Sequence, residues 1–238
     1  MNPTELEHIQ AQLHDQIRRT AIDSPSENSS NLILDGISDI NAYCASAPKI
    51  MWILKEAYGK GTDWDIWDGY ESLEQTLNSP TWQVMMYTLY GIRTGKHFND
   101  MPRLNNKMLD MLKGIAYINI NKYAAESRSG SMQQAFEKWQ NVLIRQIECY
   151  APDVIIFGNT FSLFEAEDFA KESQKIGGES GKAPIYESPS GILLVDTWHP
   201  NNTKMKRAEY VDSIIDGIRH HYPCLLYTSD AADDLIGV

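Results

Sequence analysis

The sequence predicts an α/β domain: a three-layer α/β/α sandwich on a central four-stranded, mostly parallel sheet. Three observations carry this expectation. The runs "KIMWIL", "GIAYINI", "DVIIFG" and "GILLVDTW" are short and almost continuously apolar, as strands buried on both faces must be. Segments with helical apolar spacing separate them, which is the pattern of βαβ units. A length of 238 residues is enough to enclose one sizeable core.

The elements follow in order. Thr4 and Glu7 have capping-box spacing, and Leu6, Ile9, Leu13 and Ile17 recur on one helical face. "DSPSENSS" (23–30) is a loop by composition, and a second helix is expected over Leu32 to Cys44. "KIMWIL" (49–54) is the first strand. The polar, glycine-bearing and aromatic stretch after it, 55–70, reads as a functional loop. Ser79 and Pro80 stand in N-cap and N1 order before a helix carrying Trp82, Met85, Met86, Leu89 and Tyr90. "GIAYINI" (114–120) is the second strand, and a long helix covers Met132 to Tyr150. "DVIIFG" (153–158) is the third strand, with "FSLFEAEDFAKES" (161–173) helical after it. "GILLVDTW" (191–198) is the fourth, and a last helix runs from about Met205 to His221, whose final pair His220 and His221 answers the helix dipole.

Composition narrows the function classes. A net charge of −11 argues against a broad, nonspecific nucleic-acid surface but leaves room for a local basic patch. No run of about 18 apolar residues is present, so a membrane is not an expected partner. "MNPTELEHIQ" lacks the basic-then-apolar layout of a signal peptide. Cys44, Cys149 and Cys224 are scattered, with no CxxC pair. A disulfide framework, a zinc site and an iron–sulfur cluster are therefore not expected; nor is any cofactor, and a reducing cytoplasm is the expected compartment. "CLLYTSDAAD" resembles a translated sequencing adapter, so 224–238 is expected to be a non-native tail on a single domain, 1–223.

Ligands of open α/β sheets bind beyond the carboxyl ends of the strands. The residues there are Lys55, Glu56 and the loop acids Asp63, Asp65 and Asp68; then Asn119, Asn121 and Lys122; then Gly158, Asn159 and Thr160; then His199, Pro200, Asn201 and Asn202. Together they supply a general base, a hydrogen-bond reader and an electrophile.

On these residues the chain resembles the uracil-DNA glycosylase superfamily. "LKEAYG" (54–59) is similar to the turn that holds the water-activating carboxylate, with Glu56, Ala57 and Gly59 matching and Lys55 and Tyr58 departing. Asn119 and Lys122 resemble its Asn-x-x-Lys motif, and "WHPNN" keeps the histidine and proline of its last motif. The likeness spans roughly residues 45–222 and implies a DNA partner, a flipped base and hydrolysis of the N-glycosidic bond. It implies catalysis by Glu56 and His199, with Asp63 and Asp65 as further candidates for the water-activating acid. Base contacts would come from Asn119, Tyr58, Trp64 and Trp67. Backbone contacts would come from Asn201, Asn202, Thr203, Lys204, Lys206, Arg207 and Lys122, with Met205 as a wedge. One branch of the superfamily removes α-glucosylated hydroxymethylcytosine from phage DNA, and the acidic, aromatic loop after the first strand suits such a sugar-bearing base. Uracil repair, a free-nucleoside hydrolase and an inactive DNA- or protein-binding member are the competing expectations. Without the resemblance, Glu56 reads as a surface acid, Asn119 as a turn cap and "TKMKR" as a solvated helix face.

Overall fold

In the computed structural model, residues 2–22, 32–57, 72–124 and 131–222 are described. The loop at 23–30, the segment with Tyr58, Asp63, Trp64, Asp65, Asp68 and Trp67, and the tail at 224–238 lie outside them.

The helices are α1 (Pro3–Ile22), α2 (Ile40–Ala45), α3 (Leu73–Leu77), α4 (Pro80–Thr94), α5 (Asn106–Lys113), α6 (Met132–Tyr150) and α7 (Arg207–His221). The strands are β1 (Gly36–Ile37), β2 (Ile50–Leu54), β3 (Ala116–Asn119), β4 (Val154–Gly158), β5 (Gln174–Gly177), β6 (Ile185–Glu187) and β7 (Leu193–Thr197). The α/β class is as the sequence predicts, but the sheet is larger. Among the described residues it has seven strands, in the order β1-β3-β2-β4-β7-β6-β5, not four. The four expected strands are its contiguous parallel centre, β3-β2-β4-β7. β1 pairs antiparallel on one edge, and the β5–β6 hairpin pairs antiparallel on the other. The sheet is therefore mixed rather than mostly parallel.

Alternation along the strands assigns the faces. Ile50, Trp52, Leu54, Tyr117, Val154, Ile156, Leu193 and Val195 pack against α4, α5 and α7. Met51, Ile53, Ala116, Ile118, Ile155, Phe157 and Leu194 pack against α1, α2 and α6. Every residue of β2 and β4 is buried, which explains their unbroken apolar sequence. No helix among the described residues is long and apolar enough to cross a membrane.

Three local expectations are corrected. The first helix is capped by Asn2, whose Oδ1 accepts the Glu5 N–H at 2.9 Å, with Pro3 at N1; Thr4 is already inside it. The segment 32–45 is not one helix: Gly36 and Ile37 form β1, and only Ile40–Ala45 is helical, capped by Asp39. Pairing to β3 outweighs the local helical spacing there. Residues 161–173 make a 3₁₀ turn and a run of turns, mostly i→i+3 with one i→i+4 bond from the Lys171 N–H to Glu167 O, rather than an α-helix. Phe161, Phe164 and Phe169 are drawn into one aromatic cluster with Phe136 and Phe157, a geometry that 3.6-residue spacing does not serve.

Lys122 is the largest departure. Its side chain is 0% exposed, as is that of Asp35, and its Nζ donates to Asp35 Oδ1 and Oδ2 at 2.8 and 2.9 Å and to Gln146 Oε1 at 2.8 Å. It cannot grip phosphates; it neutralises a buried carboxylate. Lys122→Ala should therefore destabilise the fold by about 3–5 kcal/mol, because it strands a buried charge. Urea unfolding checks this, and a loss under about 0.5 kcal/mol, the range of a surface change, would contradict the buried pairing.

Gly158 is demanded by packing. A Cβ there would overlap the Leu54 Cδ2 methyl, itself buried, and would reach ordinary contact with Pro200 Cδ at 3.4 Å and His199 Cα at 3.6 Å. Gly158→Ala should cost about 1–3 kcal/mol, as overpacking does, and the same unfolding assay reads it.

Candidate functional site

The carboxyl ends of the four parallel strands lie level. Leu54 pairs with Asn119, Ile53 with Phe157, and Gly158 with Thr197. Chain order along β3-β2-β4-β7 reverses between β2 and β4, and the ligand crevice of such sheets is expected beyond those two strands. Glu56 and Ala57 leave β2 there; Asn159 and Thr160 leave β4; His199 follows β7.

Asn119 is the most unusual residue. It ends β3 on the face shared with Tyr117, which packs on Trp82 with ring centroids 4.9 Å apart. Its side chain is 0% exposed, yet neither Oδ1 nor Nδ2 has a hydrogen-bond partner. Trp52 Nε1, Trp139 Nε1, Tyr150 Oη and His221 Nε2 are also buried and unpartnered. Each of those is a single atom; Asn119 lacks partners at both ends of a carboxamide. Burial pushes the neighbouring Tyr117 phenol pKa up and the Asp35 charge adds to this; the Asn119 carboxamide lowers it as a nearby hydrogen-bonding group, although the two side chains do not meet in hydrogen-bond geometry. The Asn119 backbone, by contrast, is held: its N–H donates to Asp35 Oδ2 at 2.7 Å.

His199 is neutral at pH 7. Burial chiefly, and the nearby Lys55 charge in the same direction, lower its pKa to about 4. The Asn201 N–H donates to its Nδ1 at 3.1 Å. That acceptor role puts the single ring proton on Nε2, the atom left to face a ligand. Leu54 at the end of β2 and the His199–Pro200 turn after β7 both close on Gly158, which brings the β2 and β7 exits together. Glu56 is 8% exposed at the same edge.

The turn after β4 is tight. Asn159 adopts a left-handed backbone (φ 64°) and its N–H donates to Thr197 O at 2.7 Å. Thr160 can then donate through Oγ1 to Ile53 O at 3.0 Å, tying the β4 exit to β2. A pocket of about 160 Å³ lies beside this turn, lined by Asn159, Gly181, Lys182, Pro184, Asp196, Thr197 and Trp198. Among the described residues no cluster of His, Cys, Asp or Glu could hold a metal.

The expected backbone-contact residues divide. Asn201, Thr203, Lys204, Lys206 and Arg207 are exposed, although Arg207 donates to Gln83 Oε1 at 2.9 Å. Asn202 is engaged locally: its Oδ1 accepts the N–H groups of Lys204 and Met205, both at 3.0 Å, which shapes the entry to α7. Met205 packs against the core rather than projecting as a wedge, and α7 starts at Arg207. The structure thus gathers Glu56, Asn119 and His199 at one edge, with the cations beyond. Sequence reasoning missed Asp35 and Gln146, which hold Asn119 in place. A lone acid between "LIL" and Gly36 was the only available signal for Asp35.

No protein-family profile matches the chain, and no curated protein sequence does. Among solved structures it is similar to a domain of unknown function (DUF1537) from Bordetella bronchiseptica, described with bound citrate as a domain-swapped dimer. The two are 10% identical at a TM-score of 0.34, over 72% of this chain and 41% of that one. The chain therefore spans less than half of that protein's length. The resemblance to the uracil-DNA glycosylase superfamily is therefore withdrawn: no family profile or curated sequence supports it, and the short motifs around Glu56, Asn119 and His199 do not amount to membership.

Proposed function

We propose that the chain hydrolyses the N-glycosidic bond of a nucleobase presented by DNA. The observation that carries the reading is the Asn119 carboxamide, wholly buried and unpartnered at both atoms. An unmade pair of hydrogen bonds in a core is costly, and a planar ligand edge offering one donor and one acceptor would satisfy it. A pyrimidine or purine edge has that pattern.

The remaining groups suit the chemistry. The Glu56 carboxylate takes a proton from water as the water oxygen bonds to C1′. The C1′–N bond breaks with its electron pair passing to the base, through an oxocarbenium-like state. The neutral His199 donates its Nε2–H to the oxygen on which negative charge develops, without bringing a full positive charge into the site. Lys204, Lys206 and Arg207 supply phosphate contacts beside the opening. The expected base, α-glucosylated hydroxymethylcytosine, depends on Tyr58, Asp63, Trp64, Asp65 and Trp67, which lie outside the described residues. The proposal is accordingly made for the bond and for the base edge.

A second reading, hydrolysis of a free nucleoside, is favoured by the net charge of −11, which repels polyanions. Salt separates the two, since turnover on DNA should fall steeply as salt rises and turnover of a nucleoside should not.

The test is mass spectrometry of bases released from uracil-containing, unmodified and glucosyl-hydroxymethylcytosine DNA, and from the matching nucleosides. Release should fall about 10²–10⁴-fold in Glu56→Gln and about 10²–10³-fold in His199→Ala, the usual losses for such groups. If no base is released from any substrate, the reading is wrong. Reversing charge at Lys204, Lys206 and Arg207 together should weaken DNA binding and flatten its salt dependence.

The histidine makes a separate prediction about stability. Its folded pKa, about 4, lies below the ordinary 6.5. The unfolded chain therefore binds more protons between those values, and this contribution to stability is lost as pH falls through that window. Wild type should lose stability relative to His199→Gln between pH 6.5 and 4. Parallel curves would refute the buried neutral imidazole.

A further inference from the structure

We infer that the buried cluster of Asp35, Lys122 and Gln146 is a positioning device for Asn119, in which the Asp35 carboxylate substitutes for a missing strand partner. The inference rests on reading Asn119 as the ligand-binding carboxamide.

β1 covers the outer side of β3 only at Ala116 and Tyr117, through Ile37 and Gly36. The ladder stops short of Asn119. On the inner side, the Ile120 N–H donates to Leu54 O at 2.9 Å, so the Asn119 N–H points outward, past the end of β1. Asp35 precedes β1 by one residue, and its Oδ2 takes that N–H at 2.7 Å. A side-chain oxygen thus does what a strand carbonyl would do if β1 were longer.

The carboxylate is fixed from every side. Lys122 Nζ donates to both of its oxygens, and Gln146 Nε2 donates to Oδ1 at 2.9 Å. Gln146 Oε1 accepts from Lys122 Nζ at 2.8 Å, closing a ring of three side chains. The Asp35 carbonyl meets His14 Nε2 at 3.1 Å, and the Ile33 N–H donates to Lys122 O at 2.8 Å. α1, α6, the β1 approach and the β3 exit all converge on it.

Stability alone does not account for this arrangement. Buried ion pairs often add less than an apolar pair of similar size. What the cluster supplies is geometry: the backbone of Asn119 is over-determined while its buried carboxamide is left unpaired. Binding groups need such support to hold their angle.

The test compares two double variants. Asp35→Leu with Lys122→Met fills the core but offers no acceptor. Asp35→Asn with Lys122→Met also removes both charges but keeps a side-chain oxygen for the Asn119 N–H. The first readout is amide hydrogen exchange by NMR, which needs no substrate. Exchange at Asn119 should rise about 10-fold or more in the apolar double variant, the scale of one lost hydrogen bond. Ile120, bonded to β2, should keep its protection, and the Asp35→Asn double variant should restore Asn119. Gln146→Met, which removes only the tether, should give a smaller rise in the same direction and serves if the apolar pair fails to fold. The second readout is base release: kcat should fall in the apolar double variant, recover in the Asp35→Asn one, and fall no further when Asn119→Ala is added. Unchanged exchange at Asn119, or losses that add to that of Asn119→Ala, would overturn the positioning role. A failure of base release in wild type would instead sink the N-glycosidase reading, leaving the exchange result to decide positioning.

Discussion

The constraint on which the rest depends is the ion pair of Asp35 and Lys122, sealed in the core with both side chains 0% exposed. Two charges cannot leave water cheaply, so each requires the other and the remaining valences must be filled. That requirement ties α1, α6, the β1 edge and the β3 exit to one point. It gives the outward-facing Asn119 amide an acceptor beyond the end of β1. It also moves a lysine from the expected DNA surface to the interior, so the positive charge available at the site's mouth comes from the α7 entry and Lys55.

The parallel centre of the sheet does the second part of the work. Four strands running the same way put four exits at one edge, and their pairing holds those exits level. Glu56, Asn119 and His199 are distant in sequence and share one sheet edge only because of this register. Gly158 matters for the same reason: without a side chain it lets Leu54 and the His199–Pro200 turn approach each other. The imidazole then sits partly out of water and beside Lys55, which keeps it neutral.

The legibility of these features in the sequence follows their physics. The central strands were readable because burial on both faces leaves an unbroken apolar run. The β5–β6 hairpin was not, since Gln174–Gly177 is largely exposed and carries no apolar signature. The helix expected over 161–173 failed because aromatic packing, a long-range effect, outweighed local spacing. Glu56, Asn119 and His199 were legible as strand exits. Asp35, Lys122 and Gln146 were not, because a lone charge or amide reads as solvated until its partner, 87 or 24 residues away, is known. The family likeness failed for a related reason: motifs of two or three residues recur wherever a strand ends in a polar turn.

The two ends of Asn119 make the strongest argument that this edge binds something. Folding has spent a buried ion pair and an amide on fixing its backbone, yet leaves the carboxamide unpaired at a cost of about 1–3 kcal/mol per buried group. A purely structural asparagine would have turned its side chain to a neighbour, or would have been replaced by an apolar residue at little loss. A ligand whose edge matches the carboxamide recovers that cost only on binding, and a neutral donor such as His199 keeps the same space free of competing charge. Both features need a site that excludes water, which is what a base lifted from its stack, rather than an extended polymer, can fill. The acidic body and the narrow set of cations at 204–207 agree with that division. On the proposed reading, the polymer would be touched lightly at the rim and recognition concentrated on one planar group inside.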